Sequence, residues 1–365
     1  MSDPMRVAIV GCGGMARTHA RSYVAMPGVR LVALADIRPD ALQDFAQAFE
    51  IPAERRFTDY AKMYETVRPD IVAVVTRPRD HHGPTVAALE RGIHVLCEKP
   101  IAMDLVEADE MIATSERTGA KLAVNTQRHT DPVFLHAAKL VRDGKIGDLR
   151  ALRAECKSYK AGYGMMNIGS HYFDAMGLFA GEATWVFASL TMPDGRRIGP
   201  GDITEGERDV GLAAGEVGVV QIGYRNGVTG VGEFWEGAGT FGFEVVGTKG
   251  LLALRGGELA VLFTAGGGGK AARPIEWEVL PVPLSSEDRR ALETDRWSTV
   301  PMMRSLVAAI REDQRPPCSG YEGRASLEII MAAYLSERTG CRVPLPLAER
   351  RHVLELWRAE AMRGR

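Results

Sequence analysis

The chain has 365 residues, a formal net charge of −2 and a hydrophobic fraction of 45%. The length suggests two domains with ample apolar material for a core. The near-balanced charge points to neither nucleic acid nor an anionic membrane as a partner, and no apolar run approaches the ~20 residues of a membrane span. The N-terminus carries no secretory pattern. The five cysteines, Cys12, Cys97, Cys156, Cys318 and Cys341, are scattered without a C-x-x-C pair. They fit reduced thiols in a cytoplasm, and neither a disulfide framework nor a zinc site.

Residues 7–10 form a continuous apolar run, as a buried parallel strand requires, and lead directly into Gly11-Cys12-Gly13-Gly14-Met15-Ala16. This is a G-x-G-x-x-A loop opening a helix. Gly11 permits the tight turn, Gly13 lets the backbone approach a pyrophosphate, and Ala16 lets helix and strand pack closely. A second apolar run, 31–35, ends at Asp36, 20 residues beyond Ala16. An acidic side chain there binds the ribose hydroxyls of NAD. Strand, glycines, helix, strand and acid in that order predict dinucleotide binding. Asp36 favours NAD; Arg38 leaves NADP open, because an arginine at this place can pair with a 2′-phosphate.

The alternation continues with a helix over 59–67, a strand over 70–75 ending at Thr76, a helix over 84–91 closed by Gly92, and a strand over 93–96. A helix over 105–118 and a strand over 121–124 complete a doubly wound parallel sheet, a Rossmann domain over 5–125. Ligands bind such sheets at the carboxyl ends of the strands. Gly11, Asp36, Thr76, Lys99 and Asn125 all fall there and so border one crevice. Lys99, in Cys97-Glu98-Lys99-Pro100, is the most telling of them: burial beside a strand lowers a lysine's pKa toward the range of proton exchange. Pro100 redirects the chain there, and a cis bond would serve that turn. Adjacent His81 and His82 offer no ligand face, and no metal site is expected.

After a helix over 132–142 the pattern changes. Strand candidates over 150–157, 184–190, 218–224, 228–234, 241–246, 251–254, 259–263 and 276–280 form a mainly antiparallel sheet, with Asn226-Gly227 as a hairpin signal. Gly266 to Gly269 suit a hairpin tip. Helices are expected over 302–310 and 322–337, and an extra helix in the tail over 348–365. The second domain is thus an α+β unit over 126–347. Within it, a helical 167–174 would put Asn167 and His171 on one face, with Asp174 beside them.

These residues resemble a known family, the glucose–fructose oxidoreductase, inositol dehydrogenase and rhizopine-catabolism group (Gfo/Idh/MocA). The resemblance rests on the fingerprint, Thr76 with His81, the run 88–100, Gln127-Arg128, the stretch 144–149, Gly169-Ser170-His171 with Asp174, the stretch 246–250 and Gly323 to Glu328. It implies NAD(P)-dependent oxidoreduction of a sugar, cyclitol or related polyol, and a homodimer or homotetramer formed through the C-terminal sheet. It also implies that Lys99 and His171 line the substrate site, with His81 near the nicotinamide end. Imidazole titrates nearest neutrality, so His171 is the candidate proton acceptor, with Lys99 stabilising the developing oxyanion; the reverse assignment stays open. Thr76, Arg77, His81, Glu98, Lys99 and Asn125 then join the loop 11–16, Asp36 and Arg38 as cofactor contacts, while Arg128, Tyr159, Tyr163, Asn167 and His171 join Lys99 toward substrate. Two departures stand out. Asn167 replaces the family's usual aspartate and cannot exchange a proton; Arg77 replaces its usual proline and either reaches the cofactor or is solvated. Two other functions remain open at this stage: transient use of bound NAD for glycoside or elimination chemistry without net redox, and non-catalytic nucleotide binding.

Overall fold

The computed structural model describes residues 3–158, 164–206, 210–215, 217–236, 242–255, 258–263, 277–294 and 299–363. The chain divides into two compact units, the first made of residues 1–130 and 285–324, the second of 131–284 and 325–365.

In the first unit, runs that are apolar and buried at their carboxyl ends become strands β1 (Met5–Val10), β2 (Val29–Ala35), β4 (Ile71–Val74), β5 (His94–Cys97) and β6 (Leu122–Val124), joined by the two-residue β3 (Arg56–Phe57). All pair in parallel, in the order β3-β2-β1-β4-β5-β6. The order reverses between β1 and β4, and a crevice for ligands opens at such a switch point, outside the carboxyl ends of the strands. The crossovers are α1 (Gly14–Ala25), α2 (Pro39–Ala48), α3 (Tyr60–Val67), α4 (His82–Leu89) and α5 (Leu105–Thr118). Asp59 caps α3 by accepting from the Ala61 amide, and Asp104 caps α5 by accepting from the Glu107 amide. Helix α2 and the two-residue β3 went unread in the sequence, because Pro39 and Arg38 look like a turn. Pro39 in fact opens the helix, at a position where its missing N–H leaves no bond unmade.

Residues 285–324, assigned above to the second domain, cluster with the first unit. The reason is packing. Helix α9 (Val300–Arg311) places Met302, Met303, Leu306 and Val307 in the same core as Val7, Ile9, Ala20, Tyr23, Leu34 and Phe45. It follows α8 (Ser286–Thr294) and precedes α10 (Gly320–Thr339), whose first turn lies against β6. A Cβ on Gly323 would stand 2.8 Å from the Val124 side chain, so only glycine allows that approach.

Among the described residues, the second unit is built on a nine-stranded sheet. Its strands are β7 (Leu149–Ser158), β8 (Ala183–Thr191), β11 (Val217–Tyr224), β12 (Thr229–Glu236), β13 (Gly242–Gly247), β14 (Gly250–Arg255), β15 (Glu258–Phe263), β16 (Glu278–Leu280) and β17 (Val343–Pro344), while β9 (Thr204–Glu205) and β10 (Leu212–Ala213) form a separate pair. The order is β16-β15-β14-β13-β7-β12-β11-β8-β17, antiparallel except for β7 with β12. One face is covered: Leu152, Ala154, Val186, Ala188, Val220, Ile222, Phe234, Phe243 and Val245 are buried, in the same unit as α6 (Pro132–Arg142) and α7 (Ser170–Ala180). The alternate residues Phe187 and Trp235 are exposed, the period-two signature of a sheet with one face packed. The glycines at 266–269 lie outside the described residues.

The tail forms the expected helix, α11 (Val353–Arg363), with Val353 and Leu354 buried and Met362 exposed. His352, just before it, is 1% exposed, and neither ring nitrogen has a hydrogen-bond partner among the described residues. Burial, with Arg358 adding to it, pushes its pKa from 6.5 down to about 4. Between those values the unfolded chain takes up a proton that the folded chain refuses, so stability falls as pH drops from 6.5 to 4, by roughly 3 kcal/mol in total. His352→Leu should therefore flatten the acid limb of Tm against pH and raise Tm at pH 5. An unchanged acid limb would show that His352 does not govern it.

Candidate active site

The fingerprint loop is built by close approach. Gly11 has φ +97°, and a Cβ there would stand 2.5 Å from the Val75 carbonyl oxygen. Only glycine lets β1 turn against the end of β4 in this way. Helix α1 starts three residues on, with Gly13 as its N-cap; among the described residues no side chain caps it and no acidic residue sits in its first turn. A Cβ on Gly13 or Gly14 would meet nothing within 4 Å. Unsatisfied N–H groups facing open space, at the positive end of a helix dipole, form an anion cradle. Cys12 is buried and Met15 partly exposed beside it, while Ala16 packs fully into the core. Burial and the nearby Asp36 carboxylate push the Cys12 thiol up to about 12, so it stays protonated.

Asp36 follows β2 and ties the loop down. Its Oδ2 accepts from the Cys12 amide at 2.7 Å and its Oδ1 from the Arg38 amide at 2.8 Å. The Arg38 guanidinium lies 3.6 Å from the same carboxylate and is mostly exposed. An uncapped helix terminus, open space over Gly13 and Gly14, and a carboxylate at the end of β2 fit the pyrophosphate and ribose of a dinucleotide.

Beyond β4, the Thr76 hydroxyl donates to the Asp80 carbonyl at 3.0 Å, and exposed Arg77 pairs with Asp80 at 2.9 Å. The sequence reading placed His81, Glu98 and Asn125 among the cofactor contacts. The structure turns them inward. His81 is fully buried, with Nδ1 2.8 Å from the Pro100 carbonyl and Nε2 3.3 Å from the Thr76 carbonyl. Burial holds its pKa below the usual histidine range. It braces the loop after β4 against the turn after β5. Asn125 and Glu98 are buried together: the Asn125 amide donates to Glu98 Oε1 at 2.6 Å. Residues at strand ends alternate in direction, and sequence alone does not reveal which ones point to solvent.

One member of this group went unread. His19, on α1, is fully buried, with Nε2 2.6 Å from Glu98 Oε1 and Nδ1 2.5 Å from the Tyr23 hydroxyl. A histidine set among Ala16, Ala20 and Tyr23, on the inward face of a fingerprint helix, was the available signal.

Lys99 is half-buried and joined to Pro100 by a cis peptide bond, as the sequence suggested. Burial pushes its amine down to about 8, against the pull of the Glu98 carboxylate and with the push of the Arg128 guanidinium. Arg128 is itself half-buried, beyond β6, after Gln127 with φ +72°. An amine of that basicity can both hold a proton and release one near neutral pH.

In the second unit, the stretch expected to be α-helical opens as a π-helix, Gly164–Gly169, and becomes α7 at Ser170. Such turns insert a residue into the helical ladder and concentrate at functional sites. Met165, Met166, Ser170, Tyr172, Phe173 and Asp174 are buried, whereas Asn167 and His171 are both half-exposed. The pair is thus presented as a polar patch on an otherwise inward-facing segment. The Ser170 hydroxyl donates to the Asn167 carbonyl at 2.7 Å. Tyr159 and Tyr163, expected near substrate, lie outside the described residues.

Comparison with known proteins agrees with this geometry. A family model described as an oxidoreductase family with an NAD-binding Rossmann fold matches residues 5–126, and the GFO/IDH/MocA C-terminal domain model matches 134–253. The chain belongs to the Gfo/Idh/MocA oxidoreductase family. Within that family, it is 25% identical over 364 residues to D-apiose dehydrogenase of Paraburkholderia graminis, covering 94% of this chain and 90% of that protein. It is 33% identical over 190 residues to D-glucoside 3-dehydrogenase of Escherichia coli, covering 48% of this chain and 53% of that protein. The fold matches that of levoglucosan dehydrogenase in complex with NADH and levoglucosan, with a TM-score of 0.78 at 20% identity, over 94% of this chain and 100% of that one. As a Gfo/Idh/MocA member the protein is an NAD(P)-dependent oxidoreductase, and among its described residues no helix is long and apolar enough to cross a membrane.

Proposed function

We propose that the protein interconverts a secondary alcohol and a ketone on a sugar, sugar derivative or cyclitol, with NAD as the hydride partner. The observation that carries this reading is Lys99: an amine of lowered basicity at the carboxyl end of β5, in the same unit as an uncapped helix terminus that fits a dinucleotide. The sugar and polyol dehydrogenases among its relatives support it. The backbone of residues 11–16 would hold the pyrophosphate and Asp36 the ribose, with Arg38, Thr76 and Arg77 alongside. When bound, the nicotinamide supplies the hydride acceptor or donor. The chain's own residues handle the proton and the charge. His171 removes the hydroxyl proton, Lys99 holds the oxygen as negative charge develops, and Arg128 and Asn167 orient neighbouring hydroxyls. Asn167 positions by hydrogen bonding alone, since an amide cannot relay a proton. Exposed Phe187 and Trp235 on the second unit's sheet support a homo-oligomer formed through that face.

The test is incubation with NAD and a panel of aldoses, polyols and inositols, following NADH absorbance. Substrate-dependent NADH formation is the expected result. Turnover of a glycoside with no change in NADH would replace this reading with transient redox. Tight NAD binding with no product from any member of the panel would favour a non-catalytic role.

A further inference from the structure

The fingerprint helix carries a side chain that the cofactor cradle does not use. His19 lies on α1, fully buried, five residues past its start. Its Nε2 stands 2.6 Å from Glu98 Oε1, and its Nδ1 2.5 Å from the Tyr23 hydroxyl. The Asn125 amide donates to the same Glu98 oxygen at 2.6 Å, and the Lys99 backbone N–H donates to Oε2 at 3.2 Å. With both carboxylate oxygens accepting, the imidazole proton lies on Nε2, and the Tyr23 hydroxyl donates to Nδ1. One buried carboxylate thus joins α1, the chain just beyond β5 and the chain just beyond β6. The backbone repeats the grip: the Glu98 N–H donates to the Val74 carbonyl at 2.9 Å, and the Asn125 N–H to the Cys97 carbonyl at 2.8 Å. Stability alone does not call for such a cluster. Burying a carboxylate carries a desolvation cost, and apolar side chains of similar volume commonly hold a core at least as firmly.

We propose that His19 is a positioning residue: through Glu98 it ties the chain that carries Lys99 to the helix that carries the dinucleotide cradle. Its importance to the reaction rests on the reading of Lys99 given above. Successive side chains of an extended chain point in opposite directions. Glu98 and Pro100 are buried on either side of half-buried Lys99, so pinning Glu98 inward turns Lys99 away from the core. His81 fixes the far end of the same turn, with Nδ1 2.8 Å from the Pro100 carbonyl. The N-terminus of α1 and the backbone of Lys99 therefore belong to one hydrogen-bonded frame. A misplacement of about 1 Å in such a frame can cost about 100-fold in rate.

The test separates the two ends of the His19 ring in the full-length protein. The amide of His19→Gln reaches the place of Nε2 and still donates to Glu98. The amide of His19→Asn reaches only the place of Nδ1 and keeps Tyr23 alone. Two quantities are read: hydrogen–deuterium exchange of residues 97–101, with β1 as the reference, and kcat at saturating NAD with the best substrate of the sugar and polyol panel. His19→Gln should match the parent in both. His19→Asn should exchange about tenfold faster at 97–101 with β1 unmoved, and lose about tenfold in kcat with the KM for NAD held within a factor of a few. A purely structural role would move 97–101 and β1 together and affect the two variants alike. Should His19→Asn fail to fold, the apolar pair His19→Leu with Glu98→Met replaces it, with the same shifts expected; failure of both to fold would make the cluster structural and overturn the proposal. Parental exchange at 97–101, equal losses in the Gln and Asn variants, or fast exchange with parental kcat while Lys99→Met is slow, each overturn it as well. If no panel member turns over, exchange decides alone. Fast exchange in His19→Asn together with full turnover in Lys99→Met would leave the tie standing and remove the function it rests on.

Discussion

Lys99→Met is expected to bind NAD within a factor of a few of the parent and to turn over about 100-fold more slowly, or worse. The cofactor expectation follows from the architecture: the anion cradle is backbone from the β1–α1 turn, anchored by Asp36 through the Cys12 and Arg38 amides. The turnover expectation follows from chemistry. Methionine keeps the length and apolar stem of lysine and removes its charge and donors. If Lys99 stabilises an oxygen that becomes anionic only as hydride leaves, its loss falls on kcat more than on substrate affinity. The same substitution should erase an ionisation near pH 8 from the pH–rate profile, since Lys99 titrates there. His171→Ala should slow turnover comparably while leaving that ionisation in place, and so separates the two roles. Isothermal titration with NAD, alongside steady-state kinetics from pH 6 to 10, reads all three quantities. Unchanged kcat in Lys99→Met would remove Lys99 from the mechanism.

Gly11→Ala should damage the fold and the cofactor site together. The new methyl group would stand 2.5 Å from the Val75 carbonyl oxygen and 2.8 Å from its carbon, in a residue held at φ +97°. Both obstacles are backbone, so no side chain can rotate away. Strain at such a dihedral and overpacking together cost about 2–6 kcal/mol, a large fraction of the 5–15 kcal/mol typical of a whole domain. The expected outcome is a Tm lower by several degrees and NAD affinity reduced at least tenfold, because relieving the clash must separate β1 from β4 where the dinucleotide loop begins. Gly14→Ala is the control: its Cβ meets nothing within 4 Å, and Tm should hold. Equal Tm for Gly11→Ala and the parent would contradict the packing described here.

The sequence made some of this legible and hid the rest for identifiable reasons. The apolar run 7–10, the glycines after it and Asp36 could be read because each encodes a local requirement: burial on both faces, a turn, and a carboxylate at a fixed interval. Lys99 could be placed in the crevice because parallel sheets bind at their carboxyl ends. What failed was direction and distance. The burial of His81, Glu98 and Asn125 was not legible, since inward or outward aim depends on neighbours 19 to 79 residues away, such as Pro100 and His19. The α-helix expected through Asn167 became a π-helix, a change of one residue per turn that apolar spacing does not encode. Residues 285–324 were misplaced because their amphipathic pattern shows that α9 buries a face, but not against which sheet.

That last segment bears on how the molecule comes to exist. The core beneath β1, β2 and β4 includes Met302, Met303, Leu306 and Cys318, yet the strands β7 to β16 are encoded before those residues. A ribosome delivering the chain in order finishes most of the second unit's sheet while the nucleotide-binding unit still lacks one wall. Until residue 318 emerges, Tyr23, Phe45 and their neighbours wait for their covering helix. The two units are therefore intact modules in space but not along the chain, and a gene cut after residue 130 would encode a Rossmann sheet with part of its core left to water.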